Sequence, residues 1–495
     1  MSDNLLAEAA RLAQGPNPAD AAPLLARLLA DAPGSADALT LTGLVAQRTG
    51  RGEEAIAHFA AARDAEPGNP ARHQNLAVAL KSAGRFDDAL AAFRAALRLR
   101  PGHAATLANM ASCLIAADRP AEAIAVLDGA ADHPDVCNNR GVALARLGRR
   151  AEAAEAYARA LALRPGHVET RLNLADVAGD EEAERLVAGV LAELPGHPRA
   201  ANQLGLLREK AGDHAAAARA LAQGFDRARP NHALGINLAR NLIRSGEAAQ
   251  ALEVCQRMLA VSPSVTTPLA LASVALDRMG EGEARDALIG IDRFVTVHDI
   301  DAVDGFADLA AFNAALVAEL AAHPSLVEEP EGLVTRQGRQ SDELADAGTP
   351  AIAALGRIAR SRLAQELARL AGMARDHPFL RALPQDWSLT LWGTILRAGG
   401  EVGSHIHAPN WMSGVYYPAF AEGEDGAFAI GTLPAELGEP DMPHRVFRPR
   451  TGRMILFPSY LWHGTLPFAG PDRISFAFDM VPAGIGNPHR LARRP

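Results

Sequence analysis

The sequence predicts an α+β multidomain chain: an all-helical solenoid to about residue 290, then a jelly roll of antiparallel strands with flanking helices. Three observations predict it. Alanine and leucine dominate the first 290 residues, prolines recur there at a nearly fixed interval, and most tryptophans, tyrosines and phenylalanines fall later, in segments of alternating polarity.

Size and charge narrow the function classes. At 495 residues, about 150 per domain gives roughly three units. A chain that is 48% hydrophobic and 22% charged is not a disordered tail protein. No run of about 20 apolar residues reads as a membrane span. The opening MSDNLLAEAARLAQG reads as lacking a secretory leader. Three cysteines exclude a disulfide scaffold, so a cytoplasmic location is expected. A net charge of −9 argues against a general nucleic-acid binder. Oligomeric state is not legible.

The helical half repeats itself. Prolines stand at Pro33, Pro67, Pro101, Pro134, Pro165, Pro195, Pro230 and Pro263, and glycines keep the same beat at Gly50 and Gly84, then at Gly212, Gly246 and Gly280. In the unit 71–101, Leu76, Ala77 and Leu80 form an apolar stripe at helical spacing. Gly84 permits a left-handed turn, Ala89, Phe93 and Ala96 form the facing stripe, and Pro101 stops the second helix. Asp118 takes the turn slot between Gly84 and Gly148, and the unit at 166–195 is compressed, with Gly179 early. Period and pattern over residues 20–285 resemble the tetratricopeptide repeat family. The resemblance implies a curved array whose groove takes a protein or peptide, the alternative being a spacer or dimerisation platform. Cys137 and Cys255 are expected to be inert core thiols, while Cys113 has no partner at motif spacing. His103, His167 and His197, in turns after Pro-Gly, are expected to cap or face solvent.

The domain boundary is placed near 290. Phe294–Val297 reads as a strand start, a helix follows near 305–321, residues 332–344 read as extended and polar, and a helix near 350–375 carries a solvated basic face. Strands are then expected within 387–400, 411–418, 453–459 and 473–481.

Two histidine clusters interrupt the strands. Residues i and i+2 of an extended segment share a face, so His405 and His407 can reach one ion. His463, from a strand remote in sequence, can complete a facial triad with an open side, as oxygen-activating Fe(II) chemistry requires. Arg473 and Ser475, two apart on one strand, can together clamp a carboxylate. Trp392 and Trp411 are candidate substrate-lining residues, with core packing the favoured role for either.

The segments GG…HIHAPNWMSGVYY…GRMILFPSYLWHG…RISFAF (399–478) resemble the bacterial branch of the 2-oxoglutarate and Fe(II)-dependent oxygenases related to prolyl hydroxylases. The resemblance implies a double-stranded β-helix over about 290–482. It implies a 2-oxoglutarate-dependent dioxygenase that hydroxylates a protein or peptide side chain presented by the array. The implied cofactors are Fe(II), 2-oxoglutarate as cosubstrate and O2, with ascorbate as an optional reductant. His405 and His463 match the metal positions, and Arg473, Ser475 and Tyr417 match the cosubstrate-holding positions. Asn410 matches a recurring turn residue and is placed in the substrate lining. His407 stands where the family pattern has a carboxylate, which leaves the third ligand open between His407, water and the histidine pair in exchanged roles. A three-histidine cupin independent of 2-oxoglutarate, and a non-catalytic repeat scaffold with a degenerate barrel, are the alternatives. The expected domains are therefore 1–290, 291–485 and a tail at 486–495.

Overall fold

The computed structural model describes residues 2–330, 334–420, 426–439 and 445–491. They separate into two compact units, Met1–Leu194 and Pro195–Pro495.

The first unit is a succession of antiparallel helix pairs, such as Pro70–Ser82 with Phe86–Leu99 and Pro134–Arg146 with Arg150–Leu163. The periodic residues explain it. Gly50, Gly84 and Gly148 lie at φ of 78°, 74° and 74°, the left-handed turn that a side chain disfavours. Asp118 holds the same slot at φ 58°, which aspartate tolerates better than most residues. Small residues sit where partner helices cross. A Cβ on Gly141 would come within 2.5 Å of the Tyr157 ring, so glycine there makes room for tyrosine in the facing stripe. His167 caps its helix by accepting from the Thr170 amide at 3.3 Å, and the compressed unit consists of helices Val168–Val177 and Asp180–Glu193.

The second unit begins with further helix pairs, Pro198–Lys210 through Gly282–Ile289, and continues into the strands. His197 caps its helix as His167 does, accepting from the Ala200 amide at 3.3 Å. The expected strand start at Phe294 is displaced: Ile291–Phe294 is a helical turn, and β1 is Thr296–Asp299. Phe294 faces the core against Phe379, so its burial is satisfied without strand pairing. After β1 come helix Leu309–Ala321, β2 (Val327–Glu328), β3 (Thr335–Gln340) and helix Pro350–Ala371. The main strands are β4 (Trp387–Val402), β5 (Met412–Ala419), β6 (Phe428–Ile430), β7 (Arg445–Phe447), β8 (Arg453–Pro458), β9 (His463–Thr465) and β10 (Arg473–Pro482). One sheet has the order β1-β8-β5-β10-β4-β3-β2, the other β7-β6-β9, and all pairings are antiparallel. Of the expected polar stretch 332–344, residues 332 and 333 lie outside the described residues, and 335–340 is β3.

The compact units divide at 194/195, whereas composition puts the change of texture near 290. The reason is a shared core. Leu269, Ala270 and Ile289 from the last helices are buried in the same apolar cluster as Phe294, Phe379, Trp411 and Tyr460. Polar contacts follow the same seam: Trp462 Nε1 donates to the Ala270 carbonyl at 3.0 Å, Tyr460 donates to the Leu288 carbonyl at 2.7 Å, and Arg278 donates to the Leu437 and Glu439 carbonyls at 2.8 Å. All three cysteines are buried and free, and burial pushes the Cys255 thiol up to about 12. Among the described residues, no helix is long and apolar enough to cross a membrane.

A fragment starting at Ile291 would leave that apolar face uncovered. Fully burying each large apolar side chain contributes about 1.5–3 kcal/mol, and 1 kcal/mol shifts Tm by about 2–4 °C at this size. Differential scanning calorimetry of fragments 195–495 and 291–495 is expected to give the shorter one a Tm at least about 5 °C lower, or no cooperative transition. Equal melting temperatures would contradict the shared core.

Candidate metal centre

The site is built on backbone pairing. His405 and His463 form an antiparallel bridge, the His405 amide donating to the His463 carbonyl at 2.9 Å and the His463 amide returning at 3.1 Å. Gly464 makes this approach possible: a Cβ there would lie 3.0 Å from the Val402 carbonyl oxygen. Two residues on, the His407 amide donates to the Ser459 carbonyl at 2.9 Å. The three imidazoles therefore converge, with ring centroids 4.4–4.9 Å apart and one nitrogen of each within 4.8 Å of the others.

Each ring is held from outside. His405 Nδ1 lies 2.8 Å from the Gly403 carbonyl and His463 Nδ1 lies 2.8 Å from the Leu461 carbonyl. A carbonyl only accepts, so both Nδ1 atoms carry the proton and both Nε2 lone pairs are free. His407 Nδ1 contacts Asp479 Oδ1 at 2.8 Å and Ser413 Oγ at 3.1 Å. His405 Nε2 and His407 Nε2 are then 2.8 Å apart. Two imidazole lone pairs facing each other at that distance repel unless they share a cation, so the donor set fits a divalent metal.

Burial keeps the His405 and His463 rings neutral. Burial, with His407 adding to it, pushes the His405 imidazole down to about 3. Burial and then the two neighbouring rings hold His463 well below its ordinary value. Aromatic walls add to the desolvation: Phe457 packs edge-on against His463 at 4.6 Å, and Trp392 lies 5.3 Å from His407.

The imidazoles line a cavity of about 650 Å³ that also receives Arg473, Ser475, Tyr417 and Trp392. Along β10 the side chains of Arg473, Ser475, Ala477 and Asp479 reach this cavity, while Phe476, Phe478 and Met480 fill the core behind it. Buried Arg473 donates from one terminal nitrogen to the Tyr417 hydroxyl at 3.1 Å, while its Nε and other terminal nitrogen are buried with no partner. Burial raises the Tyr417 phenol, with Arg473 opposing, so it stays a neutral hydroxyl.

Two residues of the expected lining are placed differently. Trp411 does not line the cavity. It is one residue past Asn410 and faces the other way, stacked on Phe379 at 4.7 Å in the core. Asn410 lines the cavity, but its amide is engaged with Asp479 and Asn487 and is not free to contact a substrate. The expected tail is also structured where it is described. Asn487 to Arg490 line the cavity, with His489 stacked on Trp392 at 4.4 Å; residues 492–495 lie outside the described residues. The sequence reading missed Asp479, although continuing the alternation from Arg473 and Ser475 reaches it in two more steps.

Histidines buried in the neutral form make metal-free stability depend on pH. Between about 3 and the ordinary 6.5, an unfolded chain takes up the proton that folded His405 refuses, so the unfolded state binds more protons and stability falls as pH falls. Melting curves of the metal-free protein are expected to show Tm dropping progressively below pH 6.5. A Tm that rises on acidification would contradict neutral rings.

Comparison with known families agrees with this arrangement. Residues 390–479 match the family model described as "Putative 2OG-Fe(II) oxygenase", and tetratricopeptide repeat models match residues 46–93, 80–137 and 134–167. A search of curated proteins returns no match. Among solved structures, a tetratricopeptide repeat protein from Parabacteroides merdae is 15% identical, covering 49% of this chain and 98% of its own, with a TM-score of 0.40. A thermophilic tetratricopeptide repeat protein from Thermus thermophilus is 22% identical, covering 36% of this chain and 98% of its own, with a TM-score of 0.31. The chain joins N-terminal tetratricopeptide repeats to a C-terminal domain of the 2OG-Fe(II) oxygenase type.

Proposed function

We propose that the chain is a 2-oxoglutarate- and Fe(II)-dependent dioxygenase that hydroxylates a protein or peptide side chain presented by the repeats. The observation that carries this reading is the Arg473 guanidinium. It is buried in the same cavity as the three imidazoles, with two of its nitrogens unanswered by the protein. A desolvated cation with open donors is costly unless an anion completes it, and a carboxylate matches its planar fork. A three-histidine site working without an acidic cosubstrate leaves this group unexplained.

His405, His407 and His463 would hold the metal through Nε2, and the remaining coordination positions would be free for cosubstrate and oxygen. Fe(II) bound there supplies oxygen activation, in the overall reaction of substrate C–H, O2 and 2-oxoglutarate to substrate C–OH, succinate and CO2. The chain's own residues bind and orient. Arg473 and Ser475 would take the distal carboxylate of the cosubstrate, and Tyr417 holds the guanidinium in place through its hydroxyl. Phe428, Phe457 and Trp392 keep the cavity wall dry on the histidine side, which strengthens every charge interaction inside it. The repeats supply the protein-binding class of surface, and the substrate's identity follows from whatever that surface retains.

A hydrogen bond to a charged group contributes about 1.5–3 kcal/mol, or about 10- to 100-fold in affinity. Arg473→Gln is expected to weaken 2-oxoglutarate binding by at least that factor while leaving metal affinity within about twofold of wild type. Calorimetric titration under anaerobic conditions measures both, and succinate release measures turnover. Undiminished 2-oxoglutarate affinity in the variant, or oxygen uptake independent of 2-oxoglutarate in the wild type, would contradict the proposal.

A further inference from the structure

We infer that Asp479 is a positioning residue of the metal centre, a carboxylate that acts through His407 by setting which of its nitrogens is left to bind the ion. This rests on reading the three imidazoles as a metal site.

A chain of hydrogen bonds leads to His407 from an unambiguous donor. The Asn487 backbone N–H donates to Asn410 Oδ1 at 2.8 Å, which fixes the orientation of that amide. Asn410 Nδ2 is therefore the other end. It donates to Asp479 Oδ2 at 2.8 Å and to the Asn487 carbonyl at 2.9 Å. Asp479 thus accepts on one oxygen and presents the other to His407 Nδ1 at 2.8 Å. A carboxylate there accepts from Nδ1–H, leaving the Nε2 lone pair aimed at His405 Nε2. Each link is a fixed consequence of the one before it. Ser413 does not decide the matter: its hydroxyl, 3.1 Å from His407 Nδ1 and 2.8 Å from Ser459 Oγ, can donate or accept.

The arrangement also explains how a histidine serves where the related family pattern has an acidic residue. His405 and His463 are each held by a backbone carbonyl, whereas His407 alone is held by a charged side chain. The negative charge is kept in the centre, one hydrogen bond behind the ligand position. Asp479 is buried, as is Asn410, so water does not screen the pair. Outer carboxylates that orient metal-binding histidines typically change metal affinity by about 10- to 100-fold when removed.

Asp479→Asn is the sharp test, because the Asn410 donor dictates how the new amide sits. Its oxygen must face Asn410, so its NH2 faces His407 Nδ1 and donates to it. That drives the proton of His407 to Nε2, the atom needed for the metal. Anaerobic titration with Fe(II), and with Co(II) as a spectroscopic probe, is expected to show metal affinity reduced by about 10- to 100-fold and an altered Co(II) absorption spectrum. Nitrogen-15 NMR of the metal-free wild type should show His407 protonated at Nδ1, and the variant should show it protonated at Nε2. A variant that binds Fe(II) within twofold of wild type, or a wild type with His407 protonated at Nε2, would overturn the inference. The NMR measurement on wild type decides it even where the variant does not fold. A wild type that binds no divalent metal would overturn the metal-site reading itself, which is distinct from a loss confined to the variant.

Discussion

Three imidazoles can share one cation only if each turns its proton outward, and in the second unit the outer nitrogen of each of the three rings faces an acceptor. Gly403 and Leu461 supply backbone carbonyls for two of the rings, and Asp479 supplies a carboxylate for the third. The backbone bridge between His405 and His463 brings the first two rings together, and Gly464 is what lets those segments approach. Burial disfavours the protonated form of His405 and His463, so it serves the same end as the hydrogen bonds.

β10 is the strand on which the remaining chemistry depends. Its alternation presents Arg473, Ser475 and Asp479 to the cavity and Phe476, Phe478 and Met480 to the core. One strand therefore carries both the guanidinium suited to a carboxylate and the carboxylate that steadies a histidine. Its central pairing with β4 and β5 fixes the register, since a slip of one residue would exchange the polar face with the apolar one. The last helices before the sheets share their core with it. Thr266 donates to the Asn410 carbonyl at 3.2 Å, which ties a repeat helix to the loop that carries His407. The helix pairs of this unit therefore support the site.

The fold was legible where periodicity was strong. The proline and glycine beat announced the helix pairs, and even Asp118 was placed in the turn slot where its φ is positive. The main strands followed from alternation, with β4, β5, β8 and β10 within a few residues of expectation. The strand start at Phe294 was displaced because an aromatic residue can satisfy its burial from a helical turn as well as from a strand. The division near 290 tracked composition, but compactness depends on which apolar faces meet, and Leu269 and Ile289 meet the sheet core. In the site, spacing named the three histidines, Arg473 and Ser475, and the family resemblance added Tyr417; all of them line one cavity. Trp411 takes the core role favoured for it over substrate lining, stacked on Phe379. Asp479 was within reach of the β10 alternation, whereas Asn487 and His489 were silent because nothing local in the sequence says that a segment taken for a tail lies beside a histidine from another loop.

The most direct test of the central claim is X-ray absorption at the iron edge of the anaerobically Fe(II)-loaded protein, with His407→Ala as the comparison. The account predicts three imidazole nitrogens around the metal in wild type and two in the variant. Two imidazoles in both samples would show that His407 does not bind the ion and would contradict it.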